Sequence, residues 1–511
     1  MTELNESIGW MKRLSIAATA LVAVSVASGC AVGPNFRPPP APVLTSYTRP
    51  SLSAKTDSAN VPGGEEQRFL PDRDLPREWW RLFGSPPLNA LVAKSLEANP
   101  SLVAAESALR QARELYFAGR GQFYPTIQGN FSASRQRASA ALSPPLSGPE
   151  LNFDLYTTQG TLSYALDMFG GIRRQVEALG ATAEGQRFQL EAAYLTLTSS
   201  VALAAIQEAL LHAQIEATQE IIDISTRSLA LFRRQLELGA VARLDVTAQE
   251  AALAQVQETL PPLRKQLEQT RNLLTALAGR FPSEEPEERF ELAALRLPQD
   301  LPVSVPSTLV ARRLDVRVAE TQLHAASAQV GVALAARLPQ FTIAATAGGT
   351  STVFTQMFAN GNPFWTVAGN IAHTIFDGGT LLHQQRAAEA AFEQSAAQYR
   401  STVIGAFQNV ADALHALQAN AETLRAAVDA EQATKATLDT TTEAQRLGAV
   451  NYLAVLSAQQ AYRQALLIRV QAHAARLSDT VALFQALGGG WWNRSGLGVA
   501  PTSAEPPEHA R

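Results

Sequence analysis

The chain has 511 residues and a formal net charge of -4, from 42 Lys and Arg against 46 Asp and Glu. At about 150 residues per domain this length allows roughly three domains, and the charge balance offers no basic surplus for a nucleic-acid partner. A hydrophobic share of 46% and a mean hydropathy of -0.04 exclude a polytopic helical membrane protein. They do not exclude a transmembrane β-barrel, whose strands need outward apolar residues only at alternate positions. The single cysteine excludes an intrachain disulfide framework and any Cys-based zinc cluster.

Met11-Lys12-Arg13 opens a charged segment, followed by the apolar run Leu14 to Val26 and the small residues Ala27-Ser28-Gly29 before Cys30. This pattern predicts an export signal over 1–29, with Met11 as an alternative start. The run is too short for the roughly 20 residues that a spanning helix needs. Small residues before a lone cysteine fit a lipobox: cleavage before Cys30, acylation of its thiol, and a mature chain of 482 residues, 511 minus 29; a plain signal peptide with an incidental cysteine is the alternative. Ala27 stands where leucine is commoner. Ala31, not being aspartate, favours sorting to the outer membrane. Residues 30–85 begin with a Pro/Ser/Thr-rich stretch whose low apolar content predicts an extended tether.

From residue 86 the chain repeats itself. Pro125 and Pro339 lie 214 apart, Gly171 and Gly379 208, Leu238-Gly239-Ala240-Val241 and Leu447-Gly448-Ala449-Val450 209, and Ala276–Gly279 and Ala486–Gly489 210. The halves are predicted as 86–300 and 301–490, with a tail over 491–511. Each half opens with a helix, about 88–118 and about 306–336, that leads to a proline and a hairpin. The first hairpin, within 123–168, has strands near 123–137 and 155–168, where Leu162, Tyr164, Leu166 and Met168 alternate with a period of two. The second, within 339–376, has strands near 339–352 and 363–376, with Trp365, Val367, Ile371 and Ile375 on one face. Polar loops such as Ser143-Pro144-Pro145 join the strands. A Gly-Gly pair then starts a helix over 171–238 and again over 379–446, each about 100 Å long. Leu-Gly ends each, and return helices follow over about 242–279 and 451–487. Pro261-Pro262 is expected to kink or split the first of these.

Four strands cannot close a membrane barrel, because open edges leave unpaired backbone groups in lipid at several kcal/mol each. Copies of the chain must therefore pool their strands: two copies give eight and almost no lumen, three give twelve and a passage. The helices would continue that passage into the periplasm. The expected fold is thus a trimeric twelve-stranded β-barrel, four strands per chain, running on into a long α-helical barrel. A water-soluble helical rod with two hairpins is the alternative.

Nothing points to catalysis. The seven histidines are scattered, none sits in His-Glu-x-x-His, and Gly348-Gly349 and Gly488-Gly489-Gly490 lack the lysine and strand–helix context of a phosphate cradle. No Gly-x-Ser-x-Gly elbow occurs. The expectation is a non-enzyme with no cofactor and no metal.

Several motifs together resemble the outer membrane factor family, the TolC-like exit ducts, and in particular its OprM-type lipoprotein branch. They are Cys30–Phe36 followed by prolines, Trp79-Trp80 with Phe83, Leu309–Val316 with Ala319-Glu320, Leu447-Gly448 through Gln459, and Ala486–Trp491. The resemblance implies a homotrimer in outer-membrane lipid that receives small molecules from an inner-membrane transporter of the RND type through a periplasmic adaptor. It also implies a lipid at Cys30 and a gate at the periplasmic tip. Leu314 departs from the proline usual in the family at a helix start, which should weaken that start locally. At the tip, Leu453 matches an aperture leucine, Ser457 replaces the usual aspartate, and Arg446 matches a position linked to latching of neighbouring helices. A ring of serines neither repels itself nor attracts cations as a ring of carboxylates does. Asp245 reads either as a tip acid or as a helix-start carboxylate favoured by the dipole, and Leu453 and Arg446 equally as plain seam and helix-end residues. Gly239 and Gly448 read as helix-reversal glycines. The outer component of type I protein secretion and a non-transporting envelope scaffold remain alternative functions.

Overall fold

The computed structural model describes residues 31–44, 46–49, 53–71, 73–137, 152–303 and 306–493. The export signal, Cys30, the Ser143-Pro144-Pro145 loop and the tail from residue 494 lie outside them. Two compact units emerge, and each draws on both duplicated halves. The first joins the segment up to Pro39 with Ala108–Arg187 and Val318–Arg400; the second joins Pro40–Ser107, Phe188–Arg317 and the chain from Ser401.

The first unit holds a four-stranded antiparallel sheet: β2 (Thr126–Arg137), β3 (Asn152–Leu166), β5 (Gln340–Ser351) and β6 (Pro363–Ala372), in the order β2-β3-β5-β6. The two hairpins meet through β3 and β5, with Tyr156 opposite Ser351 and Leu166 opposite Phe341. The second strand of the second hairpin ends at Ala372, short of the predicted 376, so Ile375 lies beyond the face it was expected to share.

Each long helix follows its hairpin through an acid-capped corner. Asp167 accepts from the N–H groups of Ile172 and Arg173, both at 2.9 Å, where α3 (Gly171–Glu237) begins. Its counterpart Asp377 accepts from Gly379 and Leu381 at 2.8 Å before α7 (Thr380–Arg446). Those backbone donors hold the Asp377 carboxyl below its ordinary value. The returns are α4 (Arg243–Leu277) and α8 (Tyr452–Ala486).

The opening helix of each half is broken once. In the first, α1 (Pro86–Ala98) gives way to α2 (Pro100–Arg120) because proline keeps the preceding Asn99 extended, with φ -70° and ψ 120°. Asn99 turns the break into a cap: Oδ1 accepts from Ser101 N–H at 2.9 Å and Nδ2 donates to the Leu277 carbonyl at 2.9 Å. In the second, α5 (Pro306–Arg312) precedes α6 (Leu314–Ala336). Leu314 stands 214 residues after Pro100, so the first half keeps the helix-start proline that the second lacks. Arg313 supports that start instead. Its guanidinium grips Asp315 at 2.6 and 2.9 Å and donates to the Ala486 carbonyl at 3.1 Å, while Leu314 itself is buried.

The expected split at Pro261-Pro262 does not occur, and α4 is one helix through both prolines. The carbonyls of Gln257 and Glu258 lose their intrahelical donors. Packing outweighs that loss: Leu260 sits in a buried cluster with Ile221, Ile222, Tyr462 and Leu466, and Leu267 and Leu274 are buried beyond it.

The proline-rich segment is also not a free tether throughout. Residues 53–71 lie in the second unit, where β1 (Arg68–Pro71) pairs in parallel with β4 (Asp300–Val303). Apolar burial alone would leave this stretch free, but polar contacts order it. Fully buried Arg476 donates to the carbonyls of Gly63 at 3.1 Å and Glu65 at 2.9 Å, and to Thr56 Oγ1 and Gln67 Oε1 at 3.2 and 3.3 Å. Burial lowers Arg476 only to about 10, so it remains a cation at neutral pH. At the other end, the turn Trp491–Asn493 is pinned, not part of a loose tail: Trp491 Nε1 donates to the Arg312 carbonyl at 2.6 Å and its ring meets Phe188 edge-on.

His473 lies beside Arg476 with its ring against Gly63, which leaves no room there for a β-carbon. Burial, together with the charges of Arg469 and Arg476 and against that of Glu65, pulls His473 down to about 4. An unfolded histidine titrates near 6.5. Between those values the unfolded chain takes up a proton that the folded chain refuses, so stability falls as pH drops through this window, by up to about 3 kcal/mol per chain. The thermal midpoint of the purified protein should therefore fall more steeply between pH 7 and 4.5 in the wild type than in His473→Gln; equal slopes would contradict the assignment.

Candidate functional site

The sheet presents two chemically different faces. Strand pairing puts Ile127 opposite Leu162, Leu162 opposite Ala345 and Ala345 opposite Val367, and residues opposite one another share a face. One face thus carries Ile127, Phe131, Tyr164, Ile343, Trp365 and Ile371 among its apolar residues. The other carries Gln128, Asn130, Ser132, Gln159, Thr161, Thr346, Thr366 and Asn370, and among the described strand residues it bears no charge. Hydroxyls pair across it, Thr157 with Thr350 at 3.0 Å and Thr161 with Thr346 at 3.5 Å. On the apolar face, Phe131 and Tyr156 meet Phe354 of the β5–β6 connection edge-on, and Arg135 and Asp154 form a 3.8 Å pair beyond them. An aliphatic band edged by aromatics and then charge matches the layering of a lipid-facing strand surface. Outer strands β2 and β6 each have one paired edge in the chain.

In the second unit both helix reversals use the same backbone device. Gly239 (φ 71°) donates to the Leu236 carbonyl at 2.9 Å and Ala240 to Gln235 at 2.8 Å. Gly448 (φ 76°) donates to Gln445 at 3.0 Å and Ala449 to Ala444 at 2.9 Å. Both are Schellman motifs, with glycine in the left-handed position. No neighbouring atom lies within 4 Å of a β-carbon built at either glycine, so the torsion alone demands it. The next helix starts differ. Ala242 N–H donates to Asp245 Oδ2 at 3.0 Å, whereas Asn451 Oδ1 accepts from Ala454 N–H at 3.2 Å.

Asp245 is therefore engaged at the start of α4. Leu453 and Ser457 lie one turn apart on α8, both exposed, while the intervening Val455 is buried with Tyr452, Phe232, Leu229 and Val246. Arg446 grips Glu443 on its own helix at 2.6 and 2.8 Å. The chain brings Leu453 and Ser457 together but does not join Arg446 or Asp245 to them. At the duplicated positions the first half carries the reverse pair, Arg234 with Glu237 at 2.8 Å. Sequence reading missed the buried polar chain behind the tip. Tyr452 donates to Gln249 Oε1, and Gln249 Nε2 donates to the Ser225 carbonyl at 2.8 Å. Burial and the nearby Asp245 charge push the Tyr452 phenol up to about 12, so it stays a donor. Its signal was an aromatic at the first helical position after the turn. Among the described residues no group of His, Cys, Asp and Glu could hold a metal ion.

A two-faced antiparallel wall of four strands, joined to helices of 67 residues, defines the class of a membrane duct built from β-strands and long α-helices. The chain belongs to the outer membrane efflux protein family, whose pattern matches residues 91–280 and 305–489. It is 29% identical over 495 residues to the toluene efflux pump outer membrane protein TtgC of Pseudomonas putida, covering 97% of this chain and 99% of the relative. It is 30% identical over 434 residues to the pyoverdine export outer membrane protein OpmQ of Pseudomonas putida, covering 84% and 91%. The solved outer-membrane channel OprN superposes with a TM-score of 0.79 at 26% identity, covering 90% of this chain and 99% of that one. The protein is accordingly the outer-membrane channel component of a bacterial efflux system, with a periplasmic helical extension and no catalytic role, and it works with an adaptor and an inner-membrane transporter.

Adjacent residues of β5 test the facing. Ala345→Lys, on the apolar face, should lower the yield of folded protein in vesicles, at a cost of about 2–4 kcal/mol near mid-membrane. Thr346→Lys, on the hydroxyl face, should fold normally and shift the reversal potential of the channel in a salt gradient towards anions. The opposite pairing of outcomes would reverse the two faces.

Proposed function

We propose that the protein is the lipid-anchored, homotrimeric duct of a tripartite pump whose transporter is of the RND type, and that it passes small molecules by gated diffusion. The observation that carries this reading is the pair of free sheet edges on β2 and β6. In lipid those edges must be paired, and three copies supply twelve strands, enough to enclose a lumen lined by hydroxyls and amides. The wall then imposes little charge selection. Leu453 and Ser457, exposed one turn apart beside the reversal, are the proposed gate lining, with Arg446 and Asp245 flanking them at the helix ends. A serine there closes the tip less selectively than an acid does.

Lipid attachment at Cys30 is supported by the position of the residues after it. Val32 N–H donates to the Phe169 carbonyl at 3.0 Å, three residues past the end of β3. On this reading an acyl chain on Cys30 would lie near the end of the sheet, within reach of the membrane. Limits of 86–300 and 301–490 are the proposed bounds of the two repeats, after an N-terminal segment over 30–85 that is only partly a tether. Cargo is not fixed by kinship, since relatives of nearly equal similarity carry names for toluene and for pyoverdine.

Native mass measurement of detergent-purified protein should give three mature chains, each with acyl mass on its first residue. Cys30→Ala should lose the acyl mass yet stay trimeric, because barrel insertion does not depend on the lipid. A stable monomer would end the proposal. In a host lacking its own duct, resistance should return with the adaptor and an RND transporter and not with an ABC exporter.

A further inference from the structure

The corner between β3 and α3 is built around the six residues that follow Cys30. Arg174, in the first turn of α3 and almost fully buried, points its guanidinium at them. Nε donates to the Val32 carbonyl at 3.1 Å, and one terminal nitrogen donates to the Gly33 carbonyl at 3.3 Å and to Asn35 Oδ1 at 2.7 Å. The other terminal nitrogen holds Glu177 at 2.8 Å. Glu177 in turn bonds His324 Nε2 at 2.9 Å, and the His324 ring stacks on Phe36 with centroids 4.3 Å apart and planes 11° from parallel. His324 and Arg174 together hold the Glu177 carboxyl below its ordinary value.

Glycines clear the space. A β-carbon on Gly170 would lie 2.5 Å from that of Ala31, and one on Gly331 would lie 2.9 Å from the Val32 carbonyl oxygen. Duplication supplies an internal control. The corner of the second half has Gly378 where the first has Gly170, and nothing approaches within 4 Å of a β-carbon there. At the local spacing of 208 residues Arg174 corresponds to Leu382, and at 214 Gly331 corresponds to Phe117. The arginine and the cleared glycine therefore occur only at the corner that meets the N-terminal segment. A corner needed merely to turn a strand into a helix would carry them twice.

We propose that this corner is a dock for the start of the mature chain, and that Arg174 is its positioning residue, fixing where the anchored residue enters the membrane. The inference rests on the reading of Cys30 as lipid-bearing. Docking sets the acyl chains beside the protomer's own sheet, so that lipid and barrel wall engage the leaflet as one unit instead of through a loose leash. Phe36 closes the far end of the dock and releases the prolines beyond it.

A nitroxide on Pro34→Cys tests this in the full-length trimer in vesicles, since Pro34 is exposed and acylation blocks Cys30 from labelling. With Arg174 intact the label should be strongly immobilised, and Arg174→Ala should speed its motion about tenfold. Asn35→Ala, which leaves α3 untouched, should give an intermediate release, and this guards against a helix defect. Arg174→Lys keeps the charge without the fork and should rescue only in part. A label equally mobile in wild type and Arg174→Ala, on acylated protein, overturns the dock. An immobilised label on protein whose N-terminal peptide carries no acyl mass overturns the lipid reading and the membrane role with it.

Discussion

Backbone hydrogen bonding in a medium without water is the constraint on which the rest of this molecule depends. Within lipid an unpaired N–H or C=O costs several kcal/mol, and among the described residues the sheet has two unpaired edges. No rearrangement of four strands removes those edges. In the proposed trimer, association with like chains does, and it simultaneously creates an inside. The alternation of Ile127, Phe131 and Trp365 with Asn130, Thr346 and Thr366 fits that proposal, in which one side meets lipid and the other the passage.

The duplication serves the same requirement from the helical side. Two hairpins per chain, each followed by a capped corner, a 67-residue helix, a Schellman turn and a 35-residue return, give two near-equivalent building blocks in one chain. The halves diverge where position matters. Asp245 and Asn451 cap by different routes, the ion pairs Arg234–Glu237 and Glu443–Arg446 run in opposite directions, and the corner that meets the N-terminal segment alone has an arginine and a cleared glycine. Divergence between repeats thus marks where the two halves have different neighbours.

Buried cations organise what apolar packing cannot. Segments 31–36 and 53–67 have too few large side chains to order themselves by burial. Arg174 and Arg476 each collect backbone carbonyls of these segments in a fork of donors, which satisfies the guanidinium and fixes the chain together. The arrangement is stringent, because truncating either arginine strands two carbonyls at once.

By itself the sequence determined the repeat, the strand alternation and the helix ends at Leu-Gly, all within a few residues, because these are local signals written in period and torsion. It also placed Gly239, Gly448, Leu453 and Ser457 at the reversals. Only tertiary structure decided that α4 survives Pro261-Pro262, because the packing of Leu260 and Leu267 is invisible to a local rule. Likewise the parallel pairing of Arg68–Pro71 with Asp300–Val303, the gathering of carbonyls by Arg476, and the dock at Arg174 join residues far apart in sequence through polar contacts. Such contacts leave no periodicity to read, since a hydrogen bond needs one donor and one acceptor in place and makes no demand on the residues between them.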